Sequence, residues 1–264
     1  MAEKFNNLDG KNWLKYSFSI IRDVSKTKEE KGFKHPAMFP SQLTSRLIET
    51  YSKDEGEIVL DPFMGSGSTL ISAYELGKKG VGFEINEEYI KLAKERFKQT
   101  KLDASKKKFE PTIHNKTIFD VPKMLGKDSV DLVITSPPYW NILTEKRSAD
   151  GKEIRKYSDS NVDLGNITDY KEFLDKLKES FVGVYDVLKK GKFCIIVVMD
   201  IRKKDKFYPF HMDLTKIMQE IGFDLDDLYI WDRQKEYNNM RPLGYPYMFR
   251  INKVHEYILL YRKK

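Results

Sequence analysis

Short apolar runs and amphipathic stretches alternate along most of the chain. The apolar runs predict β-strands at Ile58–Leu60, Gly80–Phe83, Val130–Ile134, Phe193–Met199, Leu228–Trp231 and Tyr257–Tyr261. Apolar residues that recur with helical spacing predict helices at Ser41–Tyr51, Thr69–Leu76, Glu87–Gln99, Tyr170–Leu188 and Asp213–Ile221. Because strands alternate with helices, we expect an α/β fold with a mostly parallel sheet that helices cover on both faces. The last two strands are the candidates for an antiparallel edge.

Two regions interrupt this alternation, at residues 141–166 and 234–253. The first is rich in charge, and the second mixes arginine and lysine with tyrosine and phenylalanine. Long irregular insertions in a compact domain are usually functional or disordered. With 264 residues the chain suits a single domain over residues 1–264, and we interpret the two regions as target-recognition insertions within it. Residues 1–33 carry no assigned role.

Charge and composition narrow the classes of function. The net charge of +7 and the pI near 9.1 suit a polyanionic partner, although a lysine-rich soluble surface gives the same values. The single cysteine, Cys194, lies in an apolar run, which predicts a core thiol and a reducing, cytoplasmic setting. No apolar stretch approaches the ~20 residues of a membrane helix, and the scattered histidines predict no metal site. Phosphate-loop and nucleophile-elbow motifs are missing from the sequence, which argues against nucleotide hydrolysis and serine-hydrolase chemistry.

The segment EIVLDPFMGSGSTL, residues 57–70, is predicted to form a strand, a glycine-rich turn and the start of a helix. Gly65 and Gly67 allow a ligand to approach the backbone closely, and the N–H groups at the helix start attract negative charge. Glu84 follows the next strand about 20 residues further on, where a carboxylate accepts hydrogen bonds from ribose hydroxyls. Together these features predict a nucleoside-containing ligand. The alternative for Glu84 is a cap on the helix that starts near Asn86.

The segment TSPPYW, residues 135–140, ends a strand with two prolines and two aromatic residues. Prolines have no backbone N–H but keep their carbonyl groups, so the segment offers hydrogen-bond acceptors beside flat apolar rings. This combination indicates a pocket that holds a nucleobase by its amino group. A rigid loop between a strand and a helix is the alternative interpretation.

Several segments in register resemble the DNA methyltransferases that use S-adenosylmethionine to methylate exocyclic amino groups. They are HPAMFPSQL at 35–43, DPFMGSGST at 61–69, TSPPY at 135–139, DLGNI at 163–167, VVMDIR at 197–202 and RPLGYPY at 241–247. The resemblance extends from about Lys34 to the C-terminus. It implies the Rossmann-like methyltransferase fold, which is α/β and doubly wound, with a mostly parallel seven-stranded sheet and an antiparallel C-terminal edge strand.

The resemblance also implies roles for individual residues. S-adenosylmethionine is the expected cofactor, held by His35, Pro36, Phe39, Asp61, Pro62, Phe63, Gly65, Ser66, Gly67, Ser68, Thr69, Glu84, Ile85 and Thr117. The expected catalytic residues are Ser136, Pro137, Pro138 and Tyr139, and the expected base or DNA contacts are Trp140, Arg147, Arg155, Arg241, Tyr245 and Arg250. The sequence departs from many relatives at HNKTIFD, residues 114–120, where they carry an aspartate near the adenine. It also places the cofactor segment before the catalytic segment.

The implied reaction needs no catalytic histidine or cysteine. An exocyclic amine is a poor nucleophile because its lone pair is delocalised into the ring, and two acceptors on the amine hydrogens, the Ser136 hydroxyl and the Pro137 carbonyl, localise that pair. Serine before the prolines and tryptophan after the tyrosine favour cytosine N4 over adenine N6. Double-stranded DNA is the expected partner, without membrane association. Methylation of RNA, a catalytically silent DNA-binding module, a cognate restriction endonuclease and a second subunit stay open.

Overall fold

The computed structural model describes residues 3–32, 38–100, 109–142, 163–236 and 242–264. In this part of the chain, one sheet contains eight strands, and two further strands pair as a separate hairpin. The strands are β1 (Ile20–Ile21), β2 (Ile58–Asp61), β3 (Lys79–Phe83), β4 (Thr112–His114), β5 (Val130–Thr135), β6 (Leu188–Val198), β7 (Ile201–Lys203), β8 (Lys206–Tyr208), β9 (Phe223–Asp232) and β10 (His255–Lys263). The hairpin is β7–β8, and the sheet order of the others is β1-β9-β10-β6-β5-β2-β3-β4.

The sheet confirms the predicted α/β fold class and differs from the prediction in two details. It has eight strands rather than seven, because the two residues of β1 pair in parallel with the outer side of β9. The C-terminal strand β10 is antiparallel to both of its neighbours, β6 and β9, and lies between them rather than at the outermost position. A two-residue strand is too short to produce a periodic signal, and strand order is not encoded in periodicity.

Helices lie on both faces of the sheet. They are α1 (Gly10–Tyr16), α2 (Lys28–Gly32), α3 (Ser41–Tyr51), α4 (Ser68–Glu75), α5 (Glu87–Gln99), α6 (Val121–Met124), α7 (Tyr170–Val187) and α8 (Phe210–Ile221). In α7, Asp169 caps the first turn, and Phe173, Leu177 and Phe181 form a fully buried stripe. Burying each such side chain contributes roughly 1.5–3 kcal/mol. No helix within the described ranges is long and apolar enough to cross a membrane.

The hydrophobic core has two main layers, one on each face of the sheet. Side chains of α7 and α8 pack with β5 and β6 in one layer, and side chains of α3 pack with β2 and β10 in the other. Cys194 of β6 is fully buried in the first layer, which confirms its predicted core role. Burial raises the pKa of this thiol far above its usual range, so it is not a reactive group.

The carboxyl ends of β3, β2 and β5 meet at one edge of the sheet. β2 is the middle strand of the three, with Asp61 beside Gly82 of β3 and Leu60 beside Val133 of β5. The glycine-rich turn follows β2, Glu84 follows β3, and Ser136 follows β5. The fold therefore brings the two predicted ligand-binding segments to the same crevice, at the edge where open α/β sheets bind ligands.

Candidate functional site

Asp61, the last residue of β2, joins the glycine-rich turn to the end of β5. Its Oδ1 accepts hydrogen bonds from Thr135 Oγ1 at 2.7 Å and from the Phe63 N–H at 3.2 Å. Its Oδ2 accepts one from Thr69 Oγ1 at 2.7 Å. Burial raises the pKa of Asp61 to about 6, although these hydrogen bonds oppose the shift. Because Thr135 directly precedes Ser136, this single carboxylate positions both candidate segments.

The glycine-rich turn has a backbone that only glycine adopts readily. Gly65 has φ +52° and Gly67 has φ +79°, both in the left-handed region. A Cβ atom on Gly67 would lie 3.0 Å from the Cβ of Ala93 in α5. Gly67 directly precedes α4, so the turn presents the first N–H groups of that helix to the crevice.

Arg96 of α5 supports the glycine-rich turn from inside the protein, and the sequence analysis did not predict it. Its Nη1 donates hydrogen bonds to the Ser66 carbonyl at 2.6 Å, to Ser66 Oγ at 3.0 Å and to Ser68 Oγ at 3.1 Å. Its Nη2 lies 3.5 Å from Glu30 Oε1. The Ser66 and Ser68 hydroxyls, both predicted to bind a cofactor, are therefore held by the protein itself. The sequence could have indicated this role, because Arg96 lies on the buried face of an amphipathic helix.

Glu84 follows β3 directly and contacts the glycine-rich turn. Its Oε2 accepts a hydrogen bond from the Gly65 N–H and its Oε1 accepts one from the Asn86 N–H, each at 2.8 Å. Burial raises the pKa of Glu84 to about 7. The cap of α5 is Asn86, whose Oδ1 accepts from the Glu88 N–H at 2.9 Å, so Glu84 is not the cap. Its carboxylate keeps lone pairs for further donors.

Other predicted cofactor residues have structural contacts or lie outside the described ranges. Thr117 forms a capping box with Asp120, and its hydroxyl lies 3.0 Å from Asp120 Oδ2. The Phe39 carbonyl accepts a hydrogen bond from Ser68 Oγ at 2.8 Å, which places the segment before α3 against the glycine-rich turn. Two of the predicted residues lie outside the described part of the chain, His35 and Pro36.

The Ser136 corner is connected to an ion pair between the buried Glu256 and the partly buried Arg233, which the sequence analysis did not predict. Ser136 Oγ donates a hydrogen bond to Tyr139 Oη at 3.2 Å. Tyr139 in turn donates to Glu256 Oε2 at 3.2 Å or to the Val197 carbonyl at 3.4 Å. The other oxygen of Glu256 binds the guanidinium of Arg233. Burial and the Glu256 carboxylate raise the pKa of Tyr139 well above its usual range, so the phenol stays protonated.

Trp140 lies inside the fold, which differs from its predicted contact with a base or DNA. Its side chain is 5% exposed, and its ring centroid lies 5.2 Å from that of Tyr170 and 5.1 Å from that of Tyr208. Lys203 Nζ lies 4.1 Å from the centroid of the indole. The β7–β8 hairpin supplies Tyr208 and Lys203, so the hairpin covers a ring that the sequence alone suggested was accessible.

Of the predicted DNA contacts in the second irregular region, Tyr245 is exposed and Arg250 is partly buried. Tyr245 is 78% exposed, and Arg250 Nη2 donates to Asp205 Oδ1 at 2.8 Å. The same segment carries Tyr247 and Phe249, which are 94% and 91% exposed. Three further predicted contacts lie outside the described residues, Arg147, Arg155 and Arg241.

The β7–β8 hairpin carries cations that the sequence analysis did not select. Arg202, Lys204 and Lys206 are exposed. A surface cavity of about 390 Å³ beside them is lined by Trp140, Lys203, Lys204, Asp205, Lys206 and Tyr208. The ion pair of Arg250 with Asp205 connects the exposed aromatic segment to this hairpin. We call the three exposed cations, together with Tyr247 and Phe249, the hairpin surface.

The chain matches a family of DNA methylases and several known methyltransferases. The sequence profile of the N6/N4 DNA methylase family matches residues 3–95 and 130–264. The type II methyltransferase M.HpaI of Haemophilus parainfluenzae is 40% identical over 92 residues, which are 34% of this chain and 28% of that protein. The orphan methyltransferase M.BamHII of Bacillus amyloliquefaciens is 46% identical over 72 residues, 27% of each chain. The matching segments thus span little more than a quarter of these relatives.

A solved structure shares the fold over most of the chain. It is a SAM-dependent methyltransferase from Methanosarcina mazei, with a TM-score of 0.52 and 16% sequence identity, and the likeness covers 82% of this chain and 96% of that chain. At this level of identity the likeness concerns the fold alone.

Proposed function

The chain belongs to the N6/N4 DNA methylase family, and on that premise we propose that it transfers a methyl group from S-adenosylmethionine to the exocyclic amine of a flipped base in double-stranded DNA. We favour N4 of cytosine, because serine precedes the two prolines and tryptophan follows the tyrosine in SPPYW. The alternative acceptor is N6 of adenine. A partner endonuclease is not part of the proposal, since the matched relatives include both a type II and an orphan methyltransferase.

One observation carries the proposal: the Asp61 carboxylate binds Thr135 and Thr69 at the same time. Thr135 precedes the corner that we assign to the base, and Thr69 lies in the first turn of α4, directly after the glycine-rich turn that we assign to the cofactor. Methyl transfer requires the two reacting atoms to be held about 3–3.5 Å apart in line. A shared buried carboxylate keeps the two binding segments in a constant relative position, which supports that requirement.

The residues around the glycine-rich turn fit S-adenosylmethionine. The left-handed backbone at Gly65 and Gly67 leaves room for close approach of a ligand, and Glu84 offers a carboxylate to the ribose hydroxyls. Bound S-adenosylmethionine would supply a sulfonium methyl group to the amine nitrogen. The electron pair of the broken S–C bond would remain on sulfur, and water would take the surplus amine proton. The protein's part is to orient the amine and to exclude competing geometries.

The Ser136 corner positions the base. Ser136 Oγ and the Pro137 carbonyl accept the two amine hydrogens, which favours a pyramidal nitrogen whose lone pair points at the methyl group. Tyr139 stacks on the ring. Stacking of this kind contributes about 1–3 kcal/mol per base, which offsets part of the cost of taking the base out of the duplex.

Binding of S-adenosylmethionine is expected to weaken as the pH falls below about 7, because the pKa of Glu84 is raised to about 7 and only the carboxylate accepts both ribose hydrogen bonds. The dissociation constant should rise about tenfold per pH unit in the acid range. Calorimetric titration at about pH 6 and pH 8 measures this. Glu84→Gln should bind weakly at both pH values, and a wild-type affinity that is the same at both would contradict the assignment.

The same pKa shift makes a linked prediction about stability. The folded-state pKa of Glu84 lies above its unfolded value, so the native state binds the proton more tightly than the unfolded chain does. The contribution of Glu84 to the free energy of unfolding is therefore largest below its unfolded pKa and decreases as the pH rises towards about 7. Urea unfolding of the wild type and Glu84→Gln across this range measures the difference.

The hairpin surface is the described surface that best fits DNA. Arg202, Lys204 and Lys206 attract phosphates, and the neighbouring exposed rings of Tyr247 and Phe249 suit stacking or insertion between bases. The hairpin packs on Trp140 and so lies next to the Ser136 corner. We assign it to the DNA backbone near the flipped nucleotide.

Replacing both Lys204 and Lys206 by glutamine is expected to weaken DNA binding and to flatten its salt dependence. Each lost phosphate contact reduces the slope of log K against log salt concentration by about 1. Fluorescence anisotropy with a labelled duplex at several salt concentrations measures both effects. The matched control replaces the exposed Lys127 and Lys190, which lie at the amino ends of β5 and β6, at the opposite edge of the sheet. Equal slopes for the two double variants would contradict the assignment.

The proposed function is tested by transfer of labelled methyl groups from S-adenosylmethionine to unmethylated DNA and to RNA. We expect label in DNA, and digestion to nucleosides should yield N4-methylcytosine. N6-methyladenine would select the alternative acceptor. Label only in RNA, or no label with DNA bound, would reject the proposal in favour of an RNA enzyme or a catalytically silent DNA-binding protein.

A further inference from the structure

Four side chains form one directed chain of hydrogen bonds that ends at the base-binding corner, in the order Arg233, Glu256, Tyr139, Ser136. We infer that these hydrogen bonds leave the Ser136 hydroxyl only acceptor lone pairs towards the base, and that they thereby select bases with an amino group at the reacting position. Glu256 and Arg233 are then positioning residues for specificity, about a hundred residues away from the SPPY segment in sequence. The inference rests on the proposed function and deepens it.

The direction of the chain is set at the ion pair. Arginine has only donors and a carboxylate has only acceptors, so Glu256 must receive hydrogen bonds on both sides. Its Oε1 receives one from Arg233, and its Oε2 is 3.2 Å from Tyr139 Oη. The competing Val197 carbonyl is neutral and lies at 3.4 Å, and hydrogen bonds to a charged acceptor are the stronger ones. The phenolic proton of Tyr139 therefore points to Glu256.

The next step fixes the proton of Ser136. Tyr139 has one phenolic proton, and because it donates that proton in a hydrogen bond to Glu256, the phenolic oxygen acts towards Ser136 as an acceptor only. Ser136 Oγ, at 3.2 Å, then donates its single proton to that oxygen and keeps its lone pairs. The two residues that follow, Pro137 and Pro138, have carbonyls and no N–H. The corner thus presents only acceptors to the base, and the polarised chain strengthens the one on Ser136.

An acceptor-only corner discriminates between otherwise similar bases. The amines of cytosine and adenine donate to it. Their deaminated counterparts, uracil and hypoxanthine, present a keto oxygen at the same position, so lone pairs would face lone pairs. Sites built around such hydrogen bonds reject the mismatched partner strongly, because buried polar groups are left unpaired.

Glu256→Gln is the sharpest test because it preserves the shape of the side chain and reverses the direction of the hydrogen bonds. The amide oxygen must take the place next to Arg233, so the amide N–H₂ points to Tyr139. Tyr139 then accepts from the amide and donates its proton to Ser136 Oγ at 3.2 Å, which is nearer than the Val197 carbonyl at 3.4 Å, so Ser136 donates its own proton towards the base. We expect kcat to fall at least about 10-fold with an unchanged dissociation constant for S-adenosylmethionine. The matched control is Glu236→Gln, since Glu236 binds the same guanidinium through Nη2 at 2.8 Å.

A binding assay reads the specificity directly. Digestion of the product and sequencing first identify the target position. Two duplexes are then compared, one with the amino base at that position and one with its deaminated counterpart. Each base stands opposite an abasic site, so that neither loses base-pairing energy when it is flipped. Wild type and Glu236→Gln should prefer the amino base at least about 10-fold, and Glu256→Gln should lose that preference. A preference that Glu256→Gln retains in full would overturn the inference.

A second variant keeps the inference testable should Glu256→Gln fail to fold. Tyr139→Phe removes one hydroxyl and keeps the ring, so stacking on the base remains while Ser136 loses its acceptor. The same loss of preference for the amino base is expected. A retained preference would contradict the proposed role of the hydrogen-bond chain. If the wild type transfers no label to DNA, the proposed function fails. If the wild type is active and both variants keep its preference, only the inference about the chain fails.

Discussion

Replacing Ser136 by alanine is expected to lower kcat for DNA methylation by about 10²–10³-fold, the range found when one preorganised hydrogen-bonding group is removed from a reacting centre. The amine would lose one of its two acceptors, so its lone pair would remain delocalised into the ring. The dissociation constant for S-adenosylmethionine should change little, because the glycine-rich turn and Glu84 are untouched. Single-turnover transfer of labelled methyl groups separates this effect from product release.

A serine at the amino end of β5, the strand whose carboxyl end leads to Ser136, provides the matched control. Ser129 directly precedes β5 and donates to the Gly126 carbonyl at 2.6 Å, at the opposite edge of the sheet from Ser136. Ser129→Ala should keep the wild-type rate, and both variants should unfold at nearly the temperature of the wild type. A Ser136→Ala protein that is as fast as Ser129→Ala would contradict the role of the hydroxyl.

Replacing Arg96 by leucine is expected to lower the free energy of unfolding by roughly 3–5 kcal/mol and to abolish binding of S-adenosylmethionine. The buried guanidinium donates to the Ser66 carbonyl and to the hydroxyls of Ser66 and Ser68, and it faces the Glu30 carboxylate. Leucine would leave these groups buried without the cation, and the glycine-rich turn would lose the contact that holds its shape. Urea unfolding and calorimetric titration with S-adenosylmethionine measure the two effects.

Arg46 allows the effect on the turn to be separated from the loss of a buried arginine. It is as buried as Arg96, and its guanidinium binds Asp23 at 2.9 Å and the Lys15 carbonyl at 3.0 Å, away from the turn. Arg46→Leu should therefore lose stability and keep its affinity for S-adenosylmethionine. If both variants keep the affinity, or both lose it, Arg96 has no specific role in shaping the turn.

The elements and segments that could be predicted from the sequence are those that neighbouring residues in the sequence specify. All the strands expected from apolar runs are present, and the helix predicted at Tyr170–Leu188 differs from α7 only at its last residue. The glycine-rich turn was recognisable because positive φ angles require glycine at particular positions, and the SPPYW segment because consecutive prolines remove donors from a strand end. The short strands β1 and β4 left no comparable pattern.

By itself, then, the sequence determined the alternation of strands and helices, the two ligand-binding segments and the family, because side-chain periodicity and backbone preference act over a few neighbouring residues. Only the tertiary structure decided which distant groups meet. Asp61 binds Thr135 across 74 positions, and Tyr139 reaches Glu256 across 117. The same holds for Arg96 beneath the turn and for the hairpin that buries Trp140. Such contacts follow from the order of strands in the sheet, which long-range packing selects and local patterns do not encode.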